Sequence, residues 1–188
     1  MNGEAAALNI TNEGGVDGTI TFLKNITGMW ILENVLSEWE ASGRKYSYPE
    51  IVEMARKAEP SKFLFNPDDH RFANPDSMLA AIDASFQQGG PRSDAEYIRA
   101  IFDSLVVRYK KCLDDIMRIT GIKVNKLHII GGGSRNTLLN ALTQETTGVE
   151  VVAGPAEATA IGNIMIQASA AGAVNGLWEM RKVISASI

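Results

Sequence analysis

Gly131, Gly132 and Gly133 stand together where a short apolar run, "KLHII", gives way to a polar trio, Ser134, Arg135 and Asn136. Consecutive missing side chains let a flat or anionic group approach the main chain. Free N–H groups at the start of a following helix add a weak positive pole. Two common nucleotide motifs do not fit. A P-loop ends in Gly-Lys-Ser/Thr, and here Ser134, Arg135 and Asn136 follow the last glycine. A dinucleotide fingerprint needs a further glycine where Asn136 stands. Tight strand-to-helix turns also use glycine, so the run alone admits a purely structural reading. The stretch "VVAGPAEATAIGNIM" repeats the arrangement: a strand, a Gly-Pro turn and a helix that opens on small residues. Ala156, Ala158, Ala160 and Gly162 suit either one wall of a ligand cleft or close helix–sheet packing.

Other residues that could do chemistry are less well placed. Asp17, Asp68, Asp69 and Glu157 are carboxylates outside any defined general-base motif. Asp68, Asp69 and His70 resemble a metal cluster in composition only, since consecutive residues in a loop rarely converge on one ion. His128 lies inside an apolar strand pattern and is expected to be a satisfied core or edge residue. Cys112 is the single cysteine, which excludes an internal disulfide. It sits in a helical pattern with no His or ligand cluster beside it, so packing or surface is its expected place.

The elements that must position these residues can be read from hydrophobic rhythm. "ALNITNEGGVDGTITFLKN" alternates at Leu8, Ile10, Ile20 and Phe22 around turn residues, with Gly14 and Gly15 free to take positive φ, and predicts two antiparallel strands. Trp30, Ile31, Val35, Leu36 and Trp39 recur at helical spacing within 26–41, ended by Gly43. Ser47 with Glu50, and Ser93 with Glu96, have capping-box spacing and open two further helices. The first of these stops at Pro60. The second is the longest, burying Ile98, Ile101, Phe102, Leu105, Tyr109, Leu113 and Ile116 and ending at Gly121. Between them, 62–75 reads as loop, and Asn74 before Pro75 is the expected cap of a helix with Met78, Leu79, Ile82 and Phe86 on one face. Lys110, Lys111, Asp114 and Asp115 form a solvated charge face.

After Gly121 the order becomes strand 127–130, helix 137–147, strand 149–152 and helix 155–171. Strands separated by single helices imply parallel pairing. The whole is α/β with a mixed sheet, and the glycines fall in the crevice at the carboxyl end of a parallel strand, where ligands bind.

The 188 residues allow one sizeable core. With 45% apolar and 21% charged residues and a net charge of −4, nothing marks a nucleic-acid surface. No signal-peptide pattern opens the sequence and no apolar stretch is long enough to span a bilayer, so no membrane partner is expected. One cysteine and no export signal favour the cytoplasm.

"GGGSRN" followed by "GPAEATAIGN" resembles the C-terminal domain of the FGGY family of carbohydrate kinases. "TNEGGVDGTITFLKNITGMWILE" and "FNPDDHRFANPDSM" are similar to its rhamnulose-phosphorylating branch, and the likeness runs from about Thr11 to about Val183. The resemblance implies an actin-like, RNase H-like ATPase fold, a mixed sheet flanked by helices. It also implies transfer of the γ-phosphoryl of ATP, with Mg2+, to a ketose sugar, L-rhamnulose in that branch. Fuculose or xylulose kinases of the same family, and a non-catalytic nucleotide- or partner-binding module, are the alternatives.

By the same resemblance Gly131, Gly132 and Gly133 lie against the adenosine, Gly132 foremost, and Asn136 either hydrogen-bonds the base or caps its helix. Asn25 falls at a sugar-binding position, and also stands where it could cap the Trp30 helix. Glu33 falls near the nucleotide at a position where relatives often carry Gln, a departure that removes a donor and adds negative charge, and a solvent-facing place is the alternative. The family's catalytic Asp and phosphate loops match nothing in this sequence, so no catalytic or metal-binding residue is assigned. The domain is expected to begin just after its first strand, to be inactive alone, and either to self-associate through the sheet edge thus left open or to have a locally disordered N-terminus.

Overall fold

The structure is a computed structural model that describes residues 3–187, the side chains of Asp17 and Ser187 aside. The chain divides into two compact units at Lys123.

The first unit opens with a short helix, α1 (Gly3–Ala7), then β1 (Thr11–Gly14) and β2 (Ile20–Leu23). These strands pair antiparallel, with Thr11 opposite Leu23 and Gly14 opposite Ile20. The turn between them is a 3-10 segment, Val16–Gly18, in which Gly18 takes the positive φ; Gly14 and Gly15 do not. Leu8 and Ile10 precede the strand, and Ile10 is buried.

Four longer helices follow: α2 (Trp30–Ala41), α3 (Tyr48–Lys57), α4 (Met78–Asp83) and α5 (Asp94–Thr120). Both expected capping boxes are formed, Ser47 with Glu50 and Ser93 with Glu96. Each cap is worth about 1 kcal/mol. Gly121 ends α5 in the left-handed region at φ 68°, where its N–H reaches the carbonyl of Met117. The buried residues lie where helical spacing places them: Ile31, Val35 and Trp39 on α2, Ile51 and Ala55 on α3, Ile98, Ile101, Phe102 and Leu105 on α5. Each large apolar side chain taken out of water stabilises the fold by roughly 1.5–3 kcal/mol. Tyr109, Leu113 and Ile116, farther along α5, are only partly buried.

Polar ties join these helices. Arg99 is buried, pairs with Asp103 at 2.9 Å and donates to the carbonyl of Ala58 at 3.2 Å, a cation at the C-terminal end of α3. Glu38 of α2 accepts from Ser77 Oγ at 2.8 Å, from Leu79 N at 3.3 Å and from Met78 N. The cap of α4 is therefore Ser77, which also accepts from Ala80 N, and not Asn74. The extended backbone of Ser77, together with the carboxylate of Glu38, starts the helix three residues later than the Asn-Pro pair suggests. Phe86 lies beyond the end of α4.

The second unit begins with β3 (Lys126–Ile129), crosses through α6 (Thr137–Thr147) and returns as β4 (Glu150–Ala153). The strands pair in parallel, Leu127 opposite Val151 and Ile129 opposite Ala153. Two helices complete it, α7 (Ala158–Ala170) and α8 (Gly176–Ser187), packed around Met165, Val174 and Met180. Among the described residues the strands form two separate two-stranded ladders, one in each unit, in place of one continuous mixed sheet. The class is α/β as expected. The expected double burial of the strand at 127–130 is not found: His128 and Ile130 are exposed while Leu127 and Ile129 are partly covered. Alternation across the pleat, with one face packed, accounts for it.

Candidate functional site

The glycine corner lies at the carboxyl end of β3. Gly131 has φ 75° and ψ −165°, a region essentially reserved for glycine. Its N–H donates to the carbonyl of Pro155 at 3.1 Å, and Gly154 N donates to Ile129 O at 2.8 Å. The two strand-to-helix turns that the sequence pairs are thus stitched together along their main chains. Gly132 to Arg135 then form one 3-10 turn.

The glycines lack side chains for different reasons. A Cβ on Gly154 would come within 2.9 Å of Ile130 Cγ2, so close packing accounts for that residue. A Cβ on Gly131 or Gly132 would meet nothing within 4 Å, and one on Gly133 would only reach Ile129 Cγ2 at 4.0 Å. The same holds for Gly162 on α7. Among the described residues nothing requires Gly132 and Gly133 to be bare, and the space beside them is open.

Asn136 is fully buried and does what one of its two readings says: its Oδ1 caps α6 by accepting from Leu139 N at 3.0 Å. Its Nδ2 is buried with no hydrogen-bond partner. A donor in that state costs about 1–3 kcal/mol. Ser134 and Asn140, which sequence reasoning did not single out, shape the corner. Ser134 Oγ donates to Gly131 O at 2.8 Å, and Asn140 Nδ2 donates to Ser134 O at 2.9 Å. The one available signal was position: Asn140 lies one helical turn beyond Asn136.

The other candidates belong to the first unit. Asn25 is exposed and does not cap the Trp30 helix, whose N-cap is Met29. It lines an open cleft of about 1020 Å³ together with Asn9, Lys24, Thr27, Asp68 and Arg108. Glu33 is exposed in the first turn of α2, where the helix dipole favours a carboxylate. A second hollow, about 540 Å³, lies between the end of α3 and the start of α5, and a third, about 450 Å³, beside Ala141 and Glu150. None of the three includes the glycine corner.

Asp68 and Asp69 do structural work. Asp68 pairs with Arg108 at 2.6 Å and accepts from Thr27 N at 3.2 Å. Asp69 caps the 3-10 turn His70–Phe72, and the Arg71 backbone N–H, with the Arg71 guanidinium, holds its carboxyl below the usual range. His70 points into solvent. Lys110 and Lys111 pair with Asp114 and Asp115 one turn along α5, the solvated face expected of them. Cys112 is buried, and burial pushes its thiol up, away from reactive thiolate. Among the described residues no three His, Cys, Asp or Glu side chains converge, and no helix is long and apolar enough to cross a membrane.

Comparison with known proteins adds to this geometry. The chain is 47% identical over 191 aligned positions to a rhamnulokinase of Bacteroides thetaiotaomicron, an alignment that takes in all of this chain and 39% of that relative. The chain therefore spans less than half of the relative it matches. Residues 2–171 match the sequence model of the C-terminal domain of the FGGY family of carbohydrate kinases. With the bare glycine corner at the end of a parallel strand and that match across most of its length, the chain belongs to the FGGY family of carbohydrate kinases.

Proposed function

We propose that residues 1–188 form the C-terminal, adenosine-side domain, of actin-like fold, of an ATP-dependent kinase that phosphorylates L-rhamnulose to L-rhamnulose 1-phosphate. The observation that carries the reading is the open space beside Gly132 and Gly133 at the end of β3, in a chain of this family. A purine nucleoside laid there would meet main chain on one side, with Gly131, Gly132 and Gly133 as its floor. Asn136, whose buried Nδ2 has no partner, follows that floor three residues after Gly133 and would reach the base only after a local shift of the turn. Glu33 would serve the nucleotide as an acceptor only, unlike the Gln of relatives. Asn25 would serve the sugar, and its place on the wall of a cleft of mixed lining, beside Asn9, Thr27 and Asp68, supports that role.

ATP supplies the phosphoryl group, and Mg2+ would arrive on its phosphates. This chain's described residues bring together no carboxylate set to hold the ion, so no step is assigned to it. Catalytic alignment requires the sugar, the phosphates and a base in one water-excluding cleft. The relative's further length fits a second domain that provides these, so the chain alone is expected to bind nucleotide and turn over no sugar. The use of ATP as co-substrate supports a cytoplasmic setting for the reaction. The unpaired edges of the two ladders support self-association as a further property.

Two measurements test this. Titration calorimetry with ADP should show binding to the chain; none would end the nucleotide reading. A chimera carrying these residues in place of the matching segment of the Bacteroides rhamnulokinase should phosphorylate L-rhamnulose ahead of fuculose and xylulose. Preference for another ketose would reassign the sugar. ADP binding with an inactive chimera would leave a binding module without chemistry.

A further inference from the structure

We propose that Asn140 is a positioning residue for the nucleotide, acting through Ser134 to hold the glycine corner in its binding shape. The inference rests on the adenosine reading of that corner.

Three consecutive glycines are the most freely moving backbone a chain can have, and a surface built of main chain is useful only if it keeps one conformation. The 3-10 turn supplies little of that rigidity, since it is a single turn. The rest comes from two side chains. Asn140 Nδ2 reaches back from the first turns of α6 to Ser134 O at 2.9 Å, the carbonyl next in line after the last glycine. Ser134 is buried, and both its Oγ, at 2.8 Å, and its N–H, at 3.1 Å, donate to Gly131 O. Gly131 N in turn donates to Pro155 O at 3.1 Å. The chain of bonds runs from helix to turn to glycine to the neighbouring turn, and pins the glycine-only conformation of Gly131.

Asn140 is committed to this by its donor alone. Its Oδ1 is buried and has no hydrogen-bond partner. A residue kept merely to fill space would carry no such unmet acceptor, because an apolar side chain of that size would avoid the penalty. What the amide adds over a leucine is the bond to Ser134.

The test compares ADP binding by the chain and by three variants, Asn140→Ala, Ser134→Ala and both together. Each single change should weaken ADP binding about tenfold, and the double change should fall well short of their product, because both release the same turn. Thr143→Val is the control. It removes a buried hydroxyl that donates to Leu139 O at 2.7 Å in the same helix, so it lowers stability without touching the corner. It should leave ADP affinity unchanged. A wild-type chain that binds ADP together with an Asn140→Ala variant that binds equally well would overturn this inference and leave the nucleotide reading standing. A wild-type chain that fails to bind would overturn the nucleotide reading. Amide exchange separates the two without any ligand: Ser134 and Asn136 N–H, which close the 3-10 turn, should exchange at least tenfold faster in Asn140→Ala. Unchanged exchange there would sink the latch itself.

Discussion

Gly131 and Gly132 are adjacent, yet a methyl group would be refused by one for conformation and admitted by the other. Gly131 sits where L side chains are strained, so Gly131→Ala should destabilise its unit by about 1–3 kcal/mol. Gly132→Ala meets nothing within 4 Å, so its stability should stay within about 0.5 kcal/mol of the parent while ADP affinity drops at least tenfold. Amide exchange and calorimetry measure the pair; a Gly132→Ala variant that binds ADP normally would remove the reason for the open corner. The run of glycines was legible in the sequence because a missing side chain is visible in the letters. The state of Asn136 was not, because capping and ligand contact use different ends of one amide. His128 had two readings, core or edge, and it lies exposed on β3, an edge strand of its ladder, because the pleat turns alternate residues outward.

At the scale of elements, local signals were read well and distant ones were not. Ser47 with Glu50 and Ser93 with Glu96 are caps whose partners lie three residues apart, and both formed as spaced. The span of α6, 137–147, also follows from its own residues, with Asn136 before it and Gly148 after. The cap of α4 depends on Glu38 from another helix, which no window around Asn74 and Pro75 contains. Two helices, α1 and α8, were not foreseen. The first is a single turn or so of alanines, and the second buries Met180 alone among its described side chains. Glu38 gives the prediction at this scale. Glu38→Ala leaves the first N–H groups of α4 without an acceptor and should cost about 1–3 kcal/mol in chemical denaturation. Glu38→Gln, which keeps one acceptor oxygen, should recover part of the loss. An Ala variant as stable as the parent would mean solvent replaces the carboxylate at no cost.

For the whole molecule, the α/β order was legible and the sheet was not. The strand patterns fixed which segments are extended and how neighbours pair, but they do not say whether two ladders join. Among the described residues each ladder has two strands, so each strand leaves one side without a strand partner. Ile20 and Val16, 68% and 54% exposed, add apolar surface beside the β1–β2 edge. The chain should therefore associate with itself as its concentration rises, which sedimentation velocity would detect. A single monomeric species at every concentration, with the β1 amides fully protected from exchange, would contradict that.

The placement of the tryptophans decides how any of this is observed. Trp39 is buried among Tyr46 and Tyr97, and Trp30 donates to Phe72 O at 3.3 Å, so both would change their emission when the helices of residues 1–123 come apart. Trp178, on α8, is already 75% in water before anything melts. Intrinsic fluorescence will thus follow the unit of residues 1–123 and be nearly blind to the unit that carries Gly131 to Gly133. A smooth optical melting curve from this protein would describe the helical unit, and a damaged corner could pass beneath it unseen.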